Sequence, residues 1–263
     1  MEAVLIAASG GLDSTTLIWH AAIQPGTLVY CVHFQYGSKH NQHEEKAIAK
    51  LKERTPVNVR FHSHKVILDD IFHGGRSSLL NTGNVIPEGH YEEETMKSTV
   101  VPGRNLVLIA ACASIAEAKG IGTVWLGTHA GDHYIYPDCR LEFIRAADKA
   151  VQLSTLEAVK VEAPFIDKSK VDIVKLGWNM GVPFMLTRTC YKDGDEACGR
   201  CGSCQERLEA FHKNNLEDPL LYDTRVLLPK KGSRHDEPGT TTDPATHSPH
   251  GGRSTPGGIE GHP

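Results

Sequence analysis

Val4-Leu5-Ile6-Ala7-Ala8-Ser9-Gly10-Gly11-Leu12-Asp13-Ser14-Thr15-Thr16-Leu17-Ile18 joins two apolar runs through a serine- and glycine-bearing turn. Residues 4–8 have the composition of a buried parallel strand, and residues 13–22 that of a helix. Between them, Gly10 and Gly11 permit close backbone approach, while Ser9, Ser14 and Thr15 offer hydroxyls beside the amino end of the helix. Free N–H groups and the helix dipole favour an anion there, so the turn suits a pyrophosphate or triphosphate. Taken alone it is also readable as a tight structural connection. Neither the Walker pattern nor the dinucleotide fingerprint occurs in the chain, which weakens the reading of a hydrolytic motor.

Working outward, residues 27–34 read as a second strand, completing a β-α-β opening. The pattern then predicts a helix over 41–54, strands over 58–63 and 66–68, a helix over 105–119 and a strand over 123–127. A helix over 141–151, a strand over 159–163 and a helix over 168–180 follow. This alternation predicts an α/β fold with a doubly wound, mainly parallel sheet and helices on both faces. Residues 106–113 carry no charge, so that helix is expected at the centre, buried on every side. Ligands of such sheets sit outside the carboxyl ends of the strands, and the loops at Ser9, at 33–40 and at 128–140 are expected on that rim. Residues 81–97, with Glu92, Glu93 and Glu94 together, read as a solvated loop or an active-site lid.

Four of the seven cysteines, Cys190, Cys198, Cys201 and Cys204, are spaced C-x7-C-x2-C-x2-C, with Gly194, Gly199 and Gly202 allowing tight knuckles. Four thiolates suit one tetrahedral zinc ion and leave no position for water, so the predicted Zn2+ is structural. The bland alternative is free thiols or a redox pair. Cys31 and Cys112 lie in apolar runs and read as small core residues. Lone thiols and a metal cluster fit a reducing compartment, so a cytoplasmic location is expected. Residues 1–6 lack the basic start of a signal peptide, and no apolar run approaches the roughly 20 residues of a membrane span. With 28 basic and 32 acidic residues the net charge is −4, so no global field attracts a polyanion. Small-molecule partners are expected, with no membrane and no direct nucleic acid; a homodimer is left open. From Lys230 to Pro263 the only hydrophobic residues are Ala245 and Ile259, too few to pack a core. The expected organisation is an α/β domain carrying the phosphate turn over 1–185, a zinc-binding four-cysteine region with a C-terminal helix over 186–228, and a disordered tail over 229–263.

The Ser9–Thr15 motif SGGLDST after an apolar strand resembles the pyrophosphate-loop ATPases, which cleave ATP to AMP and pyrophosphate while adenylating a substrate oxygen. Further motifs narrow the likeness: Tyr36-Gly37 with His40, Val101-Pro102-Gly103-Arg104-Asn105, Gly127-x-His129-x-x-Asp132 and Tyr136-Pro137-Asp138-Cys139-Arg140. Ser169-Lys170 before Ile173 and Cys190-Tyr191 ahead of the remaining cysteines complete it. Together, from Ala3 to about His212, the chain resembles the 7-cyano-7-deazaguanine synthase (QueC) family.

That resemblance implies an adenine nucleotide alpha-hydrolase fold and an ATP-dependent ligase. Its substrates are 7-carboxy-7-deazaguanine, ammonia and ATP; its product is the nitrile, reached through an amide. It implies ATP-binding residues Ala8, Ser9, Gly10, Gly11, Leu12, Asp13, Ser14, Thr15, Thr16, Leu17 and Ile18, with Asp13 organising Mg2+. Arg104 and Lys170 are candidates for phosphate contacts, while as plain residues Arg104 also reads as a capping or surface arginine and Lys170 as a surface helix lysine. His129, Asp132, Asp138 and Arg140 are candidates for binding the deazaguanine edge, orienting ammonia or coordinating magnesium. As plain residues, Asp138 also reads as a helix cap and His129 as a structural histidine. The chain departs from the family pattern at Ser38-Lys39, Arg188 and Gly202, positions that bear on substrate contacts. A tRNA-thiolating ATPase, a related amide-forming ligase, and a zinc-ribbon module on an ATP-binding domain are the rival readings.

Overall fold

The computed structural model describes residues 2–81, 84–90 and 94–223. The expected tail over 229–263, and Glu92 and Glu93 of the acidic loop, lie outside the described residues. The strands are β1 (Glu2–Ala7), β2 (Thr27–Val32), β3 (Phe34–Gln35), β4 (Val59–Phe61), β5 (Val66–Ile67), β6 (Thr123–Trp125) and β7 (Lys160–Glu162). The helices are α1 (Leu12–Ala22), α2 (Asn41–Lys52), α3 (Asp69–Phe72), α4 (Arg104–Ala118), α5 (Leu141–Ser154), α6 (Lys170–Asn179) and α7 (Gly202–Lys213).

Five strands form one parallel sheet in the order β4-β2-β1-β6-β7. Alternation along β1 assigns its two faces. Val4, Ile6 and Ala8 pack into one core with α1, α2 and α6, whereas Leu5 packs into another with α4 and α5. The doubly wound α/β fold read from the sequence is therefore the observed one. Strand order reverses at β1, which has β2 on one side and β6 on the other. A crevice opens outside the strand ends at such a reversal, and the residues that follow β1 and β6 face each other across it.

Two expectations need correction. The strand expected over 27–34 ends at Val32, and Phe34–Gln35 pairs instead with β5 in a separate two-stranded sheet. Beyond Ala7 there is no β1 left to pair with: the Ala8 N–H closes the ladder on the Val32 carbonyl at 2.8 Å. The buried His33 then donates from Nδ1 to the Ala8 carbonyl at 3.0 Å, turning the chain toward its new partner. The α4 helix is also not buried on every side. Asn105, Ile109, Cys112, Ala113 and Ala116 face the core, while Leu106 is 51% exposed. Small residues without charge allow burial, but only the sheet decides which stripe receives it.

The cysteine region shares the main core rather than standing apart from it, since Ala210 and Phe211 of α7 pack with Phe184, Ile173 and Val174. Arg207, on the same buried stripe, is 0% exposed and spends every side-chain donor. Nε and an Nη hold Asp218 at 2.7 and 2.9 Å, and the remaining donors reach Thr187 Oγ1, Thr189 Oγ1 and the Phe184 carbonyl. Removing one partner of a buried pair strands the other, at about 3–5 kcal/mol. Arg207→Met is thus expected to lower Tm by on the order of 10 °C in a thermal melt. A shift of one or two degrees would mean that water reaches Asp218.

Candidate active site

The turn after β1 is organised by its own hydroxyls. The Gly11 N–H donates to Ser9 Oγ at 3.1 Å, the Ser9 N–H donates to Ser14 Oγ at 3.3 Å, and the two hydroxyls meet at 3.1 Å. Gly10 adopts φ +73°, and a Cβ there would lie 3.1 Å from Ala47 Cβ and 3.2 Å from the Glu44 carbonyl, so both conformation and space require glycine. Gly11 caps α1 without any side-chain acceptor, which leaves the first turn of the helix pointing N–H groups at the crevice. The Arg188 N–H donates to the Gly10 carbonyl at 2.8 Å and latches the turn to the chain leading into the cysteines.

One cavity is walled by this turn and by the loops after β3 and β6: Ser9, Gly11, Asp13 and Ser14 share it with Tyr36, His40, Thr128 and Asp132. Lys170 enters from the first position of α6, where Ser169 and Asp172 form a reciprocal capping box that sets the start of the helix. Its ammonium lies 2.9 and 2.7 Å from the two Asp13 oxygens and 3.2 Å from Glu206 Oε2. Burial alone would raise the Asp13 carboxyl, but Lys170 and His129 outweigh it and hold it below its ordinary value. Burial likewise opposes the Lys170 charge, yet Asp13, Glu206 and Asp132 hold the ammonium protonated. Glu206 differs: burial dominates over Lys170 and His129, and its carboxyl is pushed up. The His129 ring accepts from the Gly131 N–H at Nδ1, so in the neutral ring Nε2 carries the proton. That nitrogen faces Asp132 at 3.5 Å and Asp13 at 4.0 Å.

Of the candidate catalytic residues, Asp13, Arg104, Asp132 and Lys170 line the cavity. His129 stands just behind its wall, 1% exposed at the side chain. Asp138 caps α4: its Oδ2 accepts the Asn105 N–H at 2.9 Å, while Asn105 Nδ2 donates back to the Asp138 carbonyl and to Cys139 Sγ. Arg140 donates from Nε to the His133 carbonyl at the start of α5. Ala8, Ser9, Gly11, Leu12, Asp13 and Ser14 line the cavity, whereas Leu17 and Ile18 belong to the hydrophobic core. Thr16 donates to the Leu12 carbonyl within α1.

Glu44 and Glu206 escape a reading of the sequence. Glu44 occupies the buried stripe of α2, with Ala47, Ile48 and Leu51, and a carboxyl at such a position is the signal that marks it. Burial drives its carboxyl up to about 8, against the pull of Arg104 and Arg188. His40, 3.7 Å away, is driven down to about 3 by burial and the same two arginines. A carboxyl whose folded pKa exceeds its unfolded value contributes stability below the unfolded pKa, 4.5 here, and loses it as pH rises through about 8. Glu44→Gln is thus expected to leave Tm unchanged near about pH 5 and to raise it by several degrees near about pH 9. Equal melting curves for the two proteins at both pH values would contradict this.

The four cysteines of the C-terminal region are buried, with their sulfurs within 4.8 Å of one another. Tetrahedral bonds of about 2.3 Å place sulfurs about 3.8 Å apart, so the set fits one ion. Backbone N–H groups of Lys192 and Cys198 donate to Cys190 Sγ, and those of Arg200 and Cys201 donate to Cys198 Sγ, as suits thiolates.

A hydroxyl-braced turn at the reversal of a parallel sheet, facing a guanidinium and an ammonium, gives the chain the anion-binding crevice of a doubly wound α/β protein. A family model described as "Queuosine biosynthesis protein QueC" matches residues 2–215, and the chain belongs to that family. The 7-cyano-7-deazaguanine synthase of Pseudoalteromonas atlantica is 40% identical over 227 residues, covering 85% of this chain and 100% of that protein. That of Porphyromonas gingivalis strain ATCC 33277 is 43% identical over 220 residues, covering 83% and 96%. Among solved structures, NMN synthetase from Francisella tularensis aligns with a TM-score of 0.45 at 14% identity, over 87% of this chain and 90% of its own. Among the described residues no helix is long and apolar enough to cross a membrane.

Proposed function

We propose that this chain converts 7-carboxy-7-deazaguanine and ammonia into 7-cyano-7-deazaguanine, using ATP twice in one cavity. The carboxylate oxygen attacks the α-phosphorus of ATP and expels pyrophosphate; ammonia then displaces AMP to give the amide. The amide oxygen attacks a second ATP in the same way. Loss of AMP with that oxygen, and of the two amide protons, leaves the nitrile. Carrying this reading is the convergence of the Ser9–Ser14 turn, Arg104 and Lys170 on one cavity in a chain of this family.

Each group has a physical task. The turn and the first N–H groups of α1 hold the phosphates, and Arg104 and Lys170 neutralise charge that builds on the leaving pyrophosphate. Asp13 and Asp132 would hold Mg2+ with the nucleotide, which supplies further charge neutralisation. His129, positioned by the Gly131 N–H, sets its Nε2 3.5 Å from Asp132 and 4.0 Å from Asp13, beside the carboxylates that would hold the metal. Asp138 acts through its cap on α4, which sets the direction from which Arg104 approaches. The four cysteines hold one structural Zn2+; sulfurs this close surround a single ion rather than a four-iron cube, whose ligands attach at separate corners.

Incubation of the purified chain with the carboxy-deazaguanine, ammonia and Mg-ATP, followed by mass spectrometry, is expected to show amide, then nitrile, with AMP and pyrophosphate. Formation of ADP and phosphate, or no acid-dependent AMP, would refute the reading.

A further inference from the structure

We propose that Glu44 reads the donor edge of the deazapurine, accepting the ring N–H and the exocyclic 2-amino group in a corner of the cavity built from Tyr36, His40, Arg188 and Tyr191. This rests on the substrate assigned above and names the group that would select it.

Glu44 is 7% exposed yet lies on the cavity wall. A buried carboxyl needs donors, and among the described residues its one ion-pair contact is His40 Nε2 at 3.7 Å, too long for a hydrogen bond. The two neighbouring guanidiniums are engaged elsewhere. Arg104 lies over the Tyr36 ring and reaches Asn105 Oδ1, and Arg188 donates to the carbonyls of Lys192 and Asp195. Two nitrogens of this corner, Arg188 Nε and His40 Nδ1, are buried without a hydrogen-bond partner among the described residues. Glu44 and Arg188 both line this cavity, and the Arg188 charge pulls on the Glu44 carboxyl, so the two acceptor oxygens and the guanidinium border the same space.

A 2-amino-4-oxopyrimidine edge presents two N–H donors followed by a carbonyl acceptor, the complement of that arrangement. Adenine presents one donor and a ring acceptor, and its nitrogen lone pair would face the Glu44 oxygens. The walls suit a flat ring as well, since His40 and Tyr191 pack 5.7 Å apart and Tyr36 stands edge-on to His40 at 6.5 Å. Raised to about 8, Glu44 waits as a neutral acid in the free cavity, and the N–H donors of the ligand favour its ionised form.

The test titrates the full chain calorimetrically with 7-carboxy-7-deazaguanine, with its analogue lacking the 2-amino group, and with Mg-ATP. Wild type is expected to bind the analogue on the order of 10- to 100-fold more weakly than the acid, as for hydrogen bonds to a charged group. Glu44→Gln retains one acceptor and turns an N–H₂ toward the other donor. It is expected to bind the acid on the order of 100-fold more weakly, to prefer it no longer over the analogue, and to keep Mg-ATP affinity within about threefold. Equal binding of acid and analogue by wild type overturns the inference without any variant. So does a Glu44→Gln chain that keeps wild-type affinity for the acid, or one that loses Mg-ATP instead. A wild type that binds Mg-ATP but not the acid refutes the assigned substrate itself, and the inference with it.

Discussion

A Cys201→Ser chain is expected to lose its metal and to melt at least about 15 °C below wild type, with the zinc-to-protein ratio falling from about one to near zero by atomic absorption. The effect is large because the loops that carry the cysteines have few apolar contacts of their own before α7 joins the main core. Their own cluster comprises Ile86, Ala197 and the four cysteines, with Tyr191, Leu220 and Tyr222 partly buried against them. Structural zinc contributes about 10–16 kcal/mol in small domains, comparable with the whole stability of a protein this size. The loss would reach the nucleotide cavity as well. The α7 helix begins between the last two ligands, at Gly202, and carries both Glu206, which pairs with Lys170, and the buried Arg207. Turnover should therefore fall together with metal content when zinc is titrated out of wild type by a chelator. A Cys201→Ser chain with full metal content and an unchanged melt would end the proposal of a four-cysteine zinc staple.

Asp13→Asn is expected to lower kcat/KM for AMP formation on the order of 10³-fold, about 4 kcal/mol, while the far-UV spectrum stays that of wild type. The substitution keeps size and shape but removes the charge that Lys170 holds at 2.7 and 2.9 Å. Lys170 retains Glu206 at 3.2 Å, so the ammonium is not stranded and the fold survives. What disappears is the carboxylate proposed to hold magnesium beside the serine-glycine turn, and with it part of the proposed neutralisation of the leaving pyrophosphate. Activity within tenfold of wild type would show that Asp13 serves only to park Lys170.

Local chemistry was legible in the sequence wherever the partners are neighbours along the chain. The serine-glycine turn, the four-cysteine knuckles and the alternation of strand and helix each depend on spacing over a few residues, and the parallel sheet follows from that alternation. The buried face of α4 was misread because its small, uncharged residues permit burial in any direction. The break of the second strand after Val32 was missed because it is set by where β1 stops, information held in another segment.

Residues that meet only through folding were not legible. Lys170 follows Asp13 by 157 positions, and Glu206 reaches the same ammonium from a third helix. No motif in the sequence singled out Glu44 or Arg207, although each sits on the buried stripe of its helix. By itself the sequence determined which elements form and which turn and thiols are available, because propensity, glycine dihedrals and ligand spacing are short-range properties of the chain. Only the tertiary structure decided which charges are buried beside one another, because desolvation and Coulomb interaction depend on distance in space, and that is where Asp13, Lys170, Glu206 and Glu44 acquire their protonation states.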